Sequence, residues 1–184
     1  MTQTVITALA VLGVMAQALL VFFLVALALR IAGVPGPWRF VCETLAGSEL
    51  WLAFLVAFIA TAGSLFFSEV AHFVPCKLCW FQRVCMYPLL VLALPALAGD
   101  RRAARYLLPL PIVGLGVAVW HLLVERGLVA EAQSCVVSAP GGCRTRWIEE
   151  FGYMTIPMLA ATGFALIAFF LGLAAFRRAE PLWR

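Results

Sequence analysis

Apolar positions in this chain come in blocks, without the alternation of a half-buried strand or the one-faced stripe of a surface helix. Five such blocks run from about Val5 to Leu29, Leu50 to Phe67, Phe81 to Ala98, Tyr106 to Val124 and Thr155 to Phe176. Each is long enough, or nearly so, to cross about 30 Å of hydrocarbon as a helix. Pro88, Pro95, Pro109 and Pro111 blur where helices begin and end, which a membrane bundle tolerates. The longest polar connections run from Arg30 to Glu49 and from Arg126 to Met154, and no internal repeat or low-complexity tract interrupts the pattern. The pattern predicts an all-α, polytopic membrane protein.

Composition narrows the class further. Of 184 residues, 65% are hydrophobic and 12% charged, against roughly 25% charged in soluble domains. The net charge of +4 does not point to nucleic acid, because the basic residues sit in short clusters between apolar blocks. Read by the enrichment of Lys and Arg in cytoplasmic loops, Arg101, Arg102 and Arg105 mark an inner loop. Strict alternation then puts Arg30 and Arg39 inside, with Arg177, Arg178 and Arg184. The N-terminus falls outside, the C-terminus in the cytoplasm, and Cys76, Cys79, Cys135 and Cys143 all face outward. The first block has no basic leader and is too long for the apolar core of a signal peptide, so it is expected to remain as a fifth helix.

The chemistry concentrates in cysteines. Pro75-Cys76-Lys77-Leu78-Cys79 opens the third span, so a Cys-x-x-Cys pair sits at a helix N-terminus, where free amides and the helix dipole favour a thiolate. Cys76, Cys79 and Arg83 follow at i, i+3 and i+7 and share one helix face. A guanidinium this close to an apolar span is a functional candidate. It could hold a thiolate or a polar carbonyl ring; the plainer alternatives are snorkelling, or pairing with Glu69 or Glu149. Cys135 and Cys143 bracket seven residues ending in Pro140-Gly141-Gly142, a turn able to bring the thiols together. Alone, that pair reads most simply as a structural staple. Two outward pairs, one on a helix start and one on a loop, suggest a relay instead. A zinc site of the four thiolates is disfavoured by the spacing of the second pair and by the oxidising side it faces, so no metal is expected. Cys85 within the third span and Cys42 in an inner loop read as bystanders. His121, one turn before Glu125, could donate to a quinone oxygen or carry its protons, but interfacial anchoring is its plainer reading, and Trp147 has the same two readings.

Pro75-Cys76-Lys77-Leu78-Cys79-Trp80-Phe81-Gln82-Arg83, followed by Met86-Tyr87-Pro88-Leu89, resembles the signature of the DsbB/BdbC disulfide bond formation proteins. Arg146 to Pro157 also resembles the start of that family's last span, and the likeness extends over about Leu50 to Phe176. It implies a four-helix membrane bundle, here residues 50–184, preceded by an extra N-terminal helix and cytoplasmic loop in residues 1–49. It implies too an enzyme of the bacterial inner membrane that re-oxidises a DsbA-like thioredoxin-fold partner and passes electrons to ubiquinone or menaquinone. On that likeness Cys76 and Cys79 match the membrane-proximal pair and Cys135 and Cys143 the loop pair, with the short spacing of BdbC. Arg83, with Gln82 beside it, matches the arginine next to the quinone; His121 and Trp147 align loosely with quinone-site residues. The N-terminal helix and the loop with Cys42 have no counterpart. A vitamin K epoxide reductase-like enzyme also couples outer thiols to a quinone, but there the Cys-x-x-Cys follows the loop pair, whereas here it precedes it. A membrane scaffold stapled by two disulfides is the non-catalytic alternative.

Overall fold

Inside hydrocarbon every peptide group must find a partner within the protein, and a helix meets that demand within one segment. The structure, a computed structural model, describes residues 2–97, 103–136 and 141–176. These contain α1 (Thr2–Ile31), α2 (Gly36–Thr44), α3 (Glu49–Leu65) running into a π-helical turn (Phe66–Val70), and α4 (Lys77–Leu97). After them come α5 (Ala103–Leu107), α6 (Pro109–Glu125), α7 (Gln133–Val136), a 3₁₀ turn (Gly142–Arg144) and α8 (Ile156–Phe176). Five helical spans are long and apolar enough to cross a membrane. The chain is therefore an all-α, multi-pass membrane protein. Arg101, Arg102, Arg177, Arg178 and Arg184, together with Ala98 and Pro140, lie outside the described residues.

Helices α3, α4, α6 and α8 close into a ring in which α3 and α6 each pack on both α4 and α8. Lipid is as apolar as leucine, so close packing through small residues has to hold such helices together. Ala53, Ala57, Ala118, Ala161, Ala174 and Ala175 are accordingly buried at the contacts. Phe164, fully buried on α8, fills the space that Gly114 leaves on α6, where any Cβ would overlap the ring. Pro88 lies within α4, which runs unbroken through it and begins at Lys77, four residues before the apolar block itself. Pro109 stands in the first turn of α6, where its missing N–H costs nothing.

Helix α1 lies outside the ring and packs on α8 and α2. Phe23 stacks on Phe169 at 4.5 Å. Gln17 Nε2 donates to Thr162 Oγ1 at 3.2 Å, and the Tyr153 hydroxyl donates to Gln17 Oε1 at 2.9 Å. Much of the rest of α1 is exposed apolar surface, as suits a helix facing lipid. The connection from Arg30 to Glu49 is more ordered than its polarity suggested. Within it α2 buries Val41, sets Trp38 edge-on to Phe169 and brings Trp38 within 5.5 Å of the Arg30 guanidinium. Cys42 is half-buried in this helix, and Cys85 is buried inside α4.

Candidate functional site: two cysteine pairs in one buried cluster

At one end of the ring the two cysteine pairs come together. Cys76 is the residue just before α4; its carbonyl accepts the first helical hydrogen bond, from the Trp80 amide at 3.1 Å. The same start points the Cys79 amide at the Cys76 sulfur, 3.5 Å away. The Cys76 and Cys79 sulfurs lie 3.3 Å apart, unbonded, while Cys135 and Cys143 are joined in a disulfide with their Cα atoms 5.5 Å apart. Cys76, Cys135 and Cys143 are buried with Val124 in a single apolar cluster that Leu78, Cys79 and Val129 complete. In the disulfide the sulfurs of Cys135 and Cys143 are bonded to each other and do not stand beside Cys76 and Cys79 as free thiolates.

His121 links the pairs. From α6 its Nε2 sits 3.1 Å from the Cys143 carbonyl oxygen and 3.6 Å from Cys76 Sγ, and its Nδ1 sits 3.2 Å from Gln82 Nε2. A carbonyl can only accept, so Nε2 carries a proton and donates to it, while Nδ1 faces the Gln82 side-chain amide. The Cys76 thiol is held well below the ordinary thiol range, first by its hydrogen bond with Cys79 and then by the hydrogen bond and charge of His121, against the opposing effect of burial. The backbone amide of Cys79 at the helix start lowers it further, in the direction that the helix position predicts.

The loop pair is held by a residue that sequence reasoning missed. The carboxylate of Glu131 accepts a hydrogen bond from the Cys143 amide, and it lies with both disulfide sulfurs inside a 4.8 Å cluster. Gly142 has φ of +70°, and a Cβ there would run into Glu131. Glycine is therefore required twice, by backbone and by space. Glu125, buried one turn after His121, pairs with Arg146 Nε at 3.3 Å; Arg146 also reaches Glu149. His121 and Glu125 thus face inward, and an interfacial anchoring role fits neither.

Arg83 pairs with neither Glu69 nor Glu149. Its Nε donates to Ser64 Oγ at 3.0 Å and its Nη2 to the Ser64 carbonyl at 2.9 Å, just ahead of the π-helical turn; the Tyr87 hydroxyl lies 3.3 Å from the same Ser64 Oγ. The guanidinium also lies 5.3 Å from the Trp80 ring. So anchored, Arg83 lines a cavity of about 310 Å³ together with Cys79 and Gln82, and apolar side chains of α1, α3 and α8 form most of its walls. Trp147, stacked on Phe73 at 5.2 Å, lines this cavity too. His121 does not: it borders a separate space of about 20 Å³ with Cys76 and Cys79, room for about one water. Of the residues the sequence singled out, Cys79, Gln82, Arg83 and Trp147 meet at the larger cavity, whereas Cys76, Cys135, Cys143 and His121 meet behind it.

Known proteins are similar to this chain over about two thirds of its length. Residues 48–175 match the family described as disulfide bond formation protein DsbB. A probable disulfide formation protein of Deinococcus radiodurans is 45% identical over 129 residues, 65% of this chain and 84% of the relative. Disulfide bond formation protein C of Bacillus subtilis is 40% identical over 134 residues, 71% of this chain and 95% of the relative. A probable disulfide formation protein of Coxiella burnetii is 38% identical over 137 residues, 73% of this chain and 92% of the relative. No solved structure matches the chain at a comparable level. The matched segment spans both cysteine pairs and the four helices of the ring, and the chain belongs to the DsbB family of disulfide bond formation proteins, membrane oxidoreductases of thiols and disulfides.

Proposed function

We propose that this protein re-oxidises a DsbA-like, thioredoxin-fold dithiol outside the cytoplasm and delivers the electrons to ubiquinone or menaquinone in the membrane. The observation that carries this reading is the burial of both pairs in one cluster, with His121 in contact with Cys76 and the Cys143 carbonyl. Two structural staples would have no need to meet.

The exchange steps balance as follows. A thiolate of the partner attacks Cys135; the Cys135–Cys143 bond breaks, and Cys143 leaves as a thiolate. With Cys76 and Cys79 oxidised, Cys143 attacks Cys76, forming a Cys76–Cys143 bond and releasing Cys79 as a thiolate. The partner's second thiolate attacks its own sulfur in the mixed disulfide and leaves oxidised, freeing Cys135. Cys135 then attacks Cys143, which restores the loop disulfide and releases Cys76. The net result is transfer of two electrons and two protons from the partner to Cys76 and Cys79. His121 Nε2 is placed to hold a proton against the Cys76 sulfur during release. A thiolate held low at Cys76 is a good leaving group in that step.

The residues fit a quinone. The cavity of about 310 Å³ is apolar over most of its wall and polar at Cys79, Gln82 and Arg83, the make-up expected of a site that takes a flat polar head and an apolar tail. Those three residues would hold the head, and a bound quinone would supply the sink for the two electrons as the Cys76–Cys79 disulfide re-forms. A DsbA-type oxidant has a potential near about −120 mV, above that of a glutathione pool, so the sink has to be more oxidising than glutathione. Sidedness follows the cationic ends. Arg30 and Arg39 flank the start of α2, and Arg105 Nε donates to the Ala175 carbonyl near the end of α8, all away from the two cysteine pairs. This supports a cytoplasmic face there, with the N-terminus and both cysteine pairs outside in a bacterial inner membrane.

The test is quinone reduction by the purified protein given a reduced thioredoxin-fold substrate, comparing the native chain with Cys79→Ser and Cys143→Ser. Turnover in the native chain alone is expected. Absence of quinone turnover, with both disulfides persisting in the presence of the dithiol, would leave the stapled scaffold.

A further inference from the structure

Helix α1 lies wholly outside the family-matched segment 48–175, yet it walls the larger cavity. Leu9, Leu12, Gly13 and Ala16 line that space. Their spacing of i, i+3, i+4 and i+7 places all four on one helix face. The opposing wall on α3 runs from Gly63 and Ser64 back to Val56, also two turns. At 1.5 Å per residue the cavity therefore extends about 10 Å along both helices, from the polar end at Cys79 and Arg83 toward the middle of the bundle.

Helix α1 is fixed against this space. Gly13 packs so tightly on α8 that a Cβ would come within 2.5 Å of Leu159, and Leu9 closes on α3, 3.4 Å from where a Cβ on Gly63 would stand. Gln17, one turn beyond Gly13, is bonded to Thr162, itself a lining residue. Gln3 Nε2 donates to Glu150 Oε1 at 2.7 Å near the other end of the helix. Take α1 away, and the side of the cavity between α3 and α8 loses its cover.

We infer that α1 is part of the quinone site: the stripe Leu9, Leu12, Gly13 and Ala16 forms the wall along which the isoprenoid tail lies, so α1 sets which tails the enzyme accepts and how tightly. This rests on the quinone reading above. The four-helix ring supplies the groups that meet the head, and the added helix supplies a tail channel.

Two measurements test it on the full chain. A ubiquinone analogue with a photoreactive azide on its tail, irradiated in the purified protein and mapped by peptide mass spectrometry, should label α1 between residues 9 and 16. Ala16→Phe, which fills the channel, should raise the half-saturating concentration of decylubiquinone at least tenfold and lower the quinone retained on purification. Met15→Phe adds similar bulk on the outward face, where Met15 is 64% exposed, and should change neither. Oxidation of a single equivalent of the dithiol partner without added quinone should survive in both variants. If Ala16→Phe lost that step too, the variant would be misfolded and the labelling of the native chain would decide. Label confined to α3, α4 and α8, or quinone affinity in Ala16→Phe equal to native, would overturn the role of α1 while leaving the quinone reading intact. No label and no quinone reduction in the native chain would overturn the quinone reading itself.

Discussion

The two cysteine pairs are built on opposite principles. Cys76 and Cys79 sit at the start of a long helix, and their surroundings come from helices: His121 and Gln82 behind, Arg83 one turn on. Cys135 and Cys143 sit in a connection whose described residues include a one-turn helix and a 3₁₀ turn, fixed by their own bond and by the Glu131 carboxylate. A pair on a rigid helix keeps one geometry toward the membrane cavity. The loop pair, buried beside Val124, is the one that the proposed relay has exchange with both a partner and Cys76. On the proposed relay the difference divides the labour, with tuning at the first pair and exchange with the partner at the second.

Breaking either pair should therefore fail in distinguishable ways. Cys76→Ser should leave the loop disulfide able to oxidise one equivalent of partner and then stop, whereas Cys135→Ser should oxidise none; counting partner disulfides per enzyme separates these from the many turnovers of the native chain. Equal stoichiometry in the two variants would remove the division of labour. Next in size, Arg83→Met should raise the half-saturating quinone concentration by about tenfold to a hundredfold, the equivalent of one hydrogen bond to a charged group, roughly 1.5–3 kcal/mol. Partner oxidation in a single turnover should not change, because Arg83 faces the cavity and not the loop.

Gly142→Ala touches only the loop pair. A left-handed backbone with a side chain costs about 1–2 kcal/mol, and the new Cβ also meets Glu131, so the loop disulfide should become easier to reduce by at least the corresponding factor of about ten. Redox titration against a thiol buffer reads this directly, and an unchanged potential would show that the loop yields freely. The smallest effect is expected at His121→Phe. With the sulfurs reduced, the pH midpoint for alkylation of Cys76 should move up, since two of the influences holding its thiol low are lost. It should still lie below an ordinary thiol, because the larger influence of Cys79 remains. A midpoint that stayed put, or moved down, would contradict the contact between His121 and Cys76.

The sequence made the spans legible because hydrocarbon imposes length and apolarity residue by residue, without reference to neighbours. It also made the cysteine pairs legible, through the spacing of Cys76 and Cys79 and the glycines before Cys143. Other features depend on distant parts of the chain meeting and leave little local trace. Ser64 holds Arg83 across nineteen positions. Glu131 meets Cys143 only because the connection folds back, although an acidic residue four positions before Cys135 was the one available signal. The place of His121 near the outer end of a span allowed both a quinone-facing donor and an interfacial anchor. Its contacts with Cys76 and Cys143 follow from the turn of α6, a direction that hydropathy cannot encode. Helix α2 was hidden in a connection that polarity alone marks as irregular.

On the proposed relay, electrons pass directly from one pair to the other. The double variant Cys79→Ser, Cys135→Ser leaves Cys76 and Cys143 as the two outward thiols. Mild oxidation, proteolysis and mass spectrometry of the purified protein should recover a peptide pair joined through Cys76 and Cys143. Recovery of both as unlinked thiols, under conditions that re-form both disulfides in the native chain, would contradict the account.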